Sequence, residues 1–431
     1  MRTRAGRTEP LTVVWITASF PPEVSGVSLG NVERAHWFAG RRDVRLSLLV
    51  PESPDGAAEA ARVVAEAGAG GVPPTGADTC GLEVRAYPAK RWLPYRMMLV
   101  PRRSALARID ATLERIAPDL VVVTNPERCF MFASWGLPGR RYARRHGVPY
   151  VAQYQSDYYN FALSYPLLRH LRVPVLRPVM RFVYRHFDAA VCASPHAEAT
   201  LREFTGIPIE QVPFVGVDLD AFSPDRADPA VLTKLAPEYE GGGKRILYLG
   251  RLAREKRLDL IIGAYLRLNA HPGNEDLSLF IAGEGPDDIT GQIAKLAAIS
   301  PRIHMLGFVR GADRGALYAS CDAFCTASPY ETLGRTVVEA MASGTPVVVP
   351  SSGGITNVLV DGHNAYLFPP GDRDGLIDAL QRALDDKGHV TAEARAEAAE
   401  FTTENGCARL LACYRRLAGH DGAAAETAPV P

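Results

Sequence analysis

No apolar run in this sequence reaches 18 residues, so no helix is expected to span a membrane. The basic start, "MRTRAGRTEP", leads into a short strand-like "LTVVWIT" with no small-residue cleavage site, which argues against a signal peptide. Net charge is absent too, since 48 Lys and Arg balance 48 Asp and Glu, and no nucleic-acid-binding motif stands out. Cysteines are few and odd in number, seven, and lie mostly in apolar stretches such as those around Cys192 and Cys325. A reduced, cytoplasmic protein is the simplest reading. Cys321 and Cys325 are four apart but have no nearby Cys or His pair to complete a zinc site, so they read as small buried residues.

What is present is the material of a two-domain globular protein. A chain of 431 residues exceeds the size at which single cores stop growing. Short apolar runs recur in the first half: "LTVVWIT" (11–17), "VRLSLLV" (44–50), "LEVRAYP" (82–88), "LVVVT" (120–124), "PYVAQY" (149–154) and "AAVCAS" (189–194). The second half repeats the pattern with "RILYLG" (245–250), "LSLFIAG" (277–283), "RIHMLGF" (302–308), "DAFCTAS" (322–328), "TPVVVP" (345–350) and "NAYLFPP" (364–370). Helix-like stretches between most of them make this an α/β chain of two doubly wound, Rossmann-like domains with parallel sheets. The expected division is a disordered start (1–10), a first domain (11–216), an acidic Pro- and Gly-bearing mobile connection (217–244), a second domain (245–400), a terminal helix (401–417) and a disordered tail (418–431). The Ala- and Gly-rich segment 51–81 reads as an insertion, either a helix with a loose end or a lid.

Charge is distributed unequally between the halves. Residues 1–216 carry 27 Lys and Arg against 19 Asp and Glu, and the remainder 21 against 29. The basic excess gathers in 90–103, 140–147 and 167–187, interleaved with Leu, Val, Met and Tyr. Such stretches suit an anionic membrane surface or an acidic acceptor, or are the solvated faces of arginine-rich helices.

Chemistry concentrates in "SPYETLGRTVVEAMASGTPVVVP" (328–350). It reads as a loop to Leu333, a helix from about Gly334 to Ala342 with Val338, Met341 and Ala342 on its apolar face, and a buried strand. Glu331 precedes the helix and Glu339 lies within it, with backbones about 10–12 Å apart at helical rise. Between them, the first helical N–H groups, Gly334 to Thr336, can hold an anion. Acid, anion site and acid would suit a nucleotide-sugar; two solvated acids are the alternative. In open α/β sheets ligands sit beyond the carboxyl ends of the strands, and two further motifs fall there. Gly26 in "SFPPEVSGVS" permits a tight loop ahead of a helix beginning near Leu29. Arg251 and Lys256 in "GRLAREKRLD" would neutralise a diphosphate, or else are ordinary basic residues at a helix start.

These segments, with "LFIAGEGP", "IHMLGFVRGADRGALYASCDAF" and the first-half "YQSDYYNFALSY" and "VPFVGVDLDAFSPD", resemble the retaining glycosyltransferases of family four, across roughly residues 11–400. The glutamates match that family's E-x7-E motif, and the wording is nearest to members acting on lipid, inositol-type or small-metabolite acceptors. The resemblance implies the GT-B fold, with a first domain for the acceptor, a second for the nucleotide-sugar, a deep cleft between them, and a terminal helix returning to the first domain. It implies transfer of a hexose from a UDP- or GDP-sugar to a hydroxyl acceptor with the anomeric configuration kept. No aspartate-rich motif such as D-x-D stands near the predicted cleft, so no metal is expected, and no cofactor or nucleic-acid partner is expected. Placement would be cytoplasmic, with peripheral contact on the inner membrane face open through the basic half. Catalytic roles would fall to Arg251, Lys256, Glu331 and Asp157.

The resemblance also assigns the donor site. Glu331 would meet hexose hydroxyls beside Thr332 and the backbone of Leu333 and Gly334. Arg335 and Thr336 would offer amides to a phosphate, and Glu339 would hold the ribose. Arg251 and Lys256 would bind the diphosphate, the backbone of Val309 and Arg310 the base, and Gly26 and Val27 would close from the other domain. The family's frequent His-Thr-Asp is Gln155, Ser156 and Asp157 here, so this position carries no proton, and Arg335 replaces a commoner aliphatic residue. A sugar-nucleotide epimerase of the same fold and a silent nucleotide-sugar binder are the alternative readings.

Overall fold

The computed structural model describes residues 10–21, 23, 25–52, 82–91, 99–130, 134–165 and 170–420. The insertion at 53–81, nearly all of the N-terminal segment and the tail from 421 lie outside the described residues.

The strands are β1 (Leu11–Ile16), β2 (Val44–Pro51), β3 (Leu82–Tyr87), β4 (Ala89–Arg91), β5 (Leu99–Pro101), β6 (Leu120–Thr124), β7 (Tyr150–Tyr154), β8 (Ala189–Cys192) and β9 (Ile209–Gln211) in the first half. In the second half they are β10 (Arg245–Leu249), β11 (Ser278–Ala282), β12 (Ile303–Gly307), β13 (Ala323–Cys325), β14 (Val347–Pro350) and β15 (Tyr366–Phe368). The first sheet is parallel in the order β3-β2-β1-β6-β7-β8-β9, and the second in the order β12-β11-β10-β13-β14-β15. Each is a doubly wound α/β sheet whose order reverses beside its first strand, between β1 and β6 and between β10 and β13. Strands β6, β7, β8, β11 and β14 are buried along their whole length, which explains their unbroken Val, Ala and Leu runs: helices cover both faces. Strand β9 and the antiparallel pair β4–β5 have no counterpart among the expected strands, because three residues such as "IEQ" carry too short a pattern to register.

The helix Thr403–Ala418 packs on the first domain, not the second. Tyr414 lies 6.3 Å from the rings of both Trp15 and Phe38 and donates its hydroxyl to Gln153 Oε1 at 3.0 Å. Arg415 pairs with Asp43 at 2.5 Å, and Val217 bridges in parallel to Thr402. The connection 217–244 departs from the mobile stretch expected. It holds the helix Ala230–Leu235 and is fastened to the second domain by Phe222 against Tyr318, by Lys234 with Asp313 at 2.8 Å and by the Asp228 amide on Ser320 at 3.0 Å. Its acidic character hid the apolar anchors Phe222, Val231 and Leu232, all buried.

Candidate active site

The loops after β1 and β7 face those after β10 and β13 across a cleft. Of the positions expected from sequence, Gly26, Val27, Arg251, Lys256, Glu331, Thr332, Gly334, Arg335 and Thr336 line it together. On the first-domain side, Ser25 caps the helix Gly26–Ala39 by accepting from the Ser28 amide at 3.1 Å, so this helix starts three residues earlier than expected, at Gly26. On the other side Gly334, with φ +84°, turns the chain into the helix Arg335–Ala342 in a left-handed conformation that suits glycine. The first amides of that helix have no acceptor within it and face the cleft.

Charge in the cleft is arranged in pairs. Lys256 Nζ meets Glu331 Oε1, and Arg251 meets Glu255. The domains touch through polar contacts around this point: Ser194 Oγ donates to Thr332 O at 2.5 Å, Thr332 Oγ1 to Gln155 O at 3.2 Å and Tyr165 to Glu255 at 3.2 Å.

Glu339 occupies a different setting. It is fully buried, and its oxygens are taken by Arg314, by Arg335 Nε at 2.8 Å and by the Tyr318 hydroxyl at 3.1 Å. Burial pushes its carboxyl up, but Arg314 and Arg335 outweigh burial and hold it below the usual carboxylate range. Arg335 also crosses to Glu33 on the first domain at 2.5 Å. Gly30 lies beside this crossing, where a Cβ would come 3.2 Å from Arg34 Nη1 and 3.4 Å from Arg335 Nη1. Arg314 and Tyr318, Glu33 and Gly30 were all missed from sequence; the signal for the first pair was their four-residue spacing on the helix Ala312–Ala319.

Other expected positions do not reach the cleft lining. Asp157 is completely buried and caps the turn Tyr158–Phe161: its Oδ1 accepts from the Asn160 amide at 2.9 Å and Tyr154 at 2.8 Å, its Oδ2 from Asn160 Nδ2 at 2.6 Å. These bonds serve the turn, and Asp157 is not among the residues that line the cleft. The Leu333 and Val309 side chains are in the core, and Arg310 lies over Phe308 at 4.8 Å. Gln155 does line the cleft, and its amide is tied to Asn31 Oδ1 at 2.8 Å. The basic stretch 140–146 forms a surface helix, and the arginines of 177–185 lie outside the cleft lining as well.

Sequence comparison settles the family. The model for glycosyl transferases group 1 matches residues 236–404, and that for the glycosyl transferase 4-like domain matches residues 40–218. A GDP-mannose-dependent alpha-mannosyltransferase of Mycolicibacterium smegmatis is 30% identical over 390 residues, covering 89% of this chain and 90% of the relative. The chain belongs to the group 1 glycosyl transferases, of the family-four type. A 2-deoxystreptamine glucosyltransferase of Streptomyces kanamyceticus is 28% identical over 298 residues, 66% of this chain and 75% of that one. Among solved structures, Anabaena HepE in complex with UDP and glucose superposes with a TM-score of 0.68 at 16% identity, covering 94% of this chain and 99% of HepE, and shares the fold. This glycosyltransferase accordingly has two Rossmann-like domains in the GT-B arrangement, and among its described residues no helix is long and apolar enough to cross a membrane.

Proposed function

We propose that this glycosyltransferase moves a hexose from a nucleotide diphosphate sugar to a hydroxyl acceptor with retention of configuration. The observation that carries the reading is the meeting of Arg251, Lys256, Glu331 and the Gly334–Thr336 helix start in one cleft, opposite the Gly26 loop. Residues 11–216 serve the acceptor and 245–400 the donor. The acceptor hydroxyl attacks C1 on the face the phosphate leaves; the C1–O bond to phosphate breaks, and the acceptor proton passes to the departing phosphate oxygen. Arg251 and Lys256 stabilise the charge that gathers there, and the helix amides of Arg335 and Thr336 add to it. Glu331, released from Lys256 by the diphosphate, takes the hexose hydroxyls. No protein group needs to carry the proton, which fits a Gln155 already committed to Asn31. The donor reading is GDP-mannose, the sugar nucleotide named for the Mycolicibacterium relative.

Calorimetric titration with GDP-mannose, UDP-glucose, UDP-galactose and UDP-N-acetylglucosamine, followed by proton NMR of the product anomer, tests this. Tight binding of GDP-mannose and an α-linked product are expected. An inverted product, or conversion to an isomeric sugar nucleotide with no acceptor, would sink it.

A second face supports peripheral contact with an anionic membrane. Beside the helix Arg177–Tyr184, Leu171, Val175 and Phe182 are exposed together with Arg181 and Arg185, apolar and cationic groups side by side. Sedimentation with vesicles should show more binding to anionic than to zwitterionic lipid; equal binding would remove this contact.

A further inference from the structure

The acceptor half of the cleft differs from what the basic first half of the chain would suggest. Among the described residues, the first domain puts two charged side chains on the cleft, Glu23 and Arg34. Arg34 belongs to the Glu339 end: it donates to Phe214 O at 2.9 Å and Asn31 Oδ1 at 2.7 Å, and its guanidinium lies against Gly30 beside Arg335. Among the described residues, the rest of the wall therefore presents one charged side chain, and it is a carboxylate paired with the buried Arg128.

Glu23 is held from behind by a fully buried cation. The Arg128 side chain is 0% exposed and that of Glu23 is 11% exposed. Arg128 Nη2 meets Glu23 Oε2 at 2.5 Å and its Nη1 meets Oε1 at 3.2 Å; Nη1 also donates to Ser19 Oγ at 2.6 Å and Nη2 to Leu99 O at 3.2 Å, and the buried Nε has no partner among the described residues. Ser25 Oγ adds a hydrogen bond to Oε1 at 3.1 Å. A carboxylate has about four acceptor positions, so Oε2 keeps one for a ligand. The cation that fixes it never reaches the cleft surface. Beside it stand Tyr158 and Phe161, half-buried, lining the same wall with ring centroids 6.0 Å apart. Aromatic faces with a hydrogen-bond acceptor at their edge suit a saturated ring that has C–H faces and donor groups at its rim.

Resting on the transfer reading above, we infer that the acceptor is a ring polyol that is uncharged or bears an amine, that it donates to Glu23 from a hydroxyl or ammonium group, and that phosphorylated polyols are excluded. A phosphate at this wall would face Glu23, and like charges disfavour it. An ammonium would gain a charge-assisted hydrogen bond. Glu23 positions the ring so that a neighbouring hydroxyl faces the donor; Arg128 acts through Glu23.

The test uses the full-length protein with the donor whose nucleotide it releases, and offers myo-inositol, glucosamine and myo-inositol phosphate as acceptors, with products followed by mass spectrometry. Wild type is expected to use the first two with kcat/KM at least about tenfold above the phosphorylated polyol, the size of one charge-dependent contact. Glu23→Gln should narrow the gap, losing about tenfold on glucosamine and less on myo-inositol. Phe161→Ala, away from the buried pair, should raise KM for every ring acceptor and leave their ranking as it is. Preference for the phosphorylated polyol, or nucleotide release without transfer to any of the three, overturns the inference while the transfer reading stands. No nucleotide release with any donor overturns both.

Discussion

Glu331 and Glu339 are the same residue eight positions apart in one motif, and the fold treats them oppositely. Glu331 lies in the cleft with its side chain 21% exposed and one cation, Lys256, beside it. Glu339 is sealed at 0% exposure with two guanidiniums and a tyrosine hydroxyl on its oxygens. One acid has a single cation that a ligand could displace; the other is completely buried and held by three groups. The difference arises at Gly334: before it the chain is a loop open to the cleft, and after it the helix turns Glu339 inward toward Arg314 and Tyr318. Motif spacing therefore marks the segment, while the helix start divides its two acids between an open cleft position and a sealed one.

The sharpest way to break this comparison is at the sealed end. Glu339→Ala leaves Arg314 and Arg335 without their shared carboxylate, and loss of one partner of a buried pair should cost about 3–5 kcal/mol, read by urea denaturation. A stability within about 1 kcal/mol of wild type would mean that Glu339 is not structural.

Glu127 extends the comparison to a buried acid with less compensation. Burial, against the opposing bond from the Tyr184 hydroxyl at 2.9 Å, raises its carboxyl from 4.5 to about 7. Because the folded value lies above the unfolded one, the folded protein retains a proton that the unfolded chain gives up between these limits. Its contribution to stability is therefore undiminished below pH 4.5, falls as pH rises through that window, and reaches a loss of about 3 kcal/mol above it. Glu127→Gln should remove this slope, so the variant gains on wild type between pH 5 and pH 8 in thermal scans at each pH. Parallel pH profiles would refute it.

At the reactive end, Lys256→Ala should lower kcat by on the order of 10² while the melting temperature barely moves, because the pair is partly solvated. Turnover within a few-fold of wild type would remove Lys256 from the leaving-group site. The smallest effect is expected where the two ends meet the first domain. Glu33, 38% exposed, bonds Arg335 across the cleft, and Glu33→Gln should cost less than about 1 kcal/mol in denaturation. A cost as large as that of Glu339→Ala would make the crossing pair part of the sealed cluster.

Much of this was legible in the letters. Both parallel sheets follow from the alternation of strand-like runs with helix-like stretches, and all six strands of the second sheet fall inside such runs. Of the cleft residues, Arg251 and Lys256 follow from their place after β10, and Glu331 and Gly334 from the loop-to-helix pattern of 328–350. Asp157, expected as a site residue, is also a cap, and a cap and a ligand-binding acid look alike in sequence; the amides and hydroxyl on it come from the turn's three-dimensional path. The basic stretches of the first half likewise say nothing about which face they occupy.

By itself, the sequence determined the α/β class, the two-domain repeat, the family and a segment that lines the cleft, because these depend on local periodicity and on short motifs read along one strand and its following loop. The tertiary structure alone decided which charges meet. Arg128 reaches Glu23 from 105 positions away and Arg335 reaches Glu33 from 302 away. Whether a charge lies open to a ligand or is neutralised depends on such distant partners and on the water they exclude, and neither is written in the spacing of neighbouring residues.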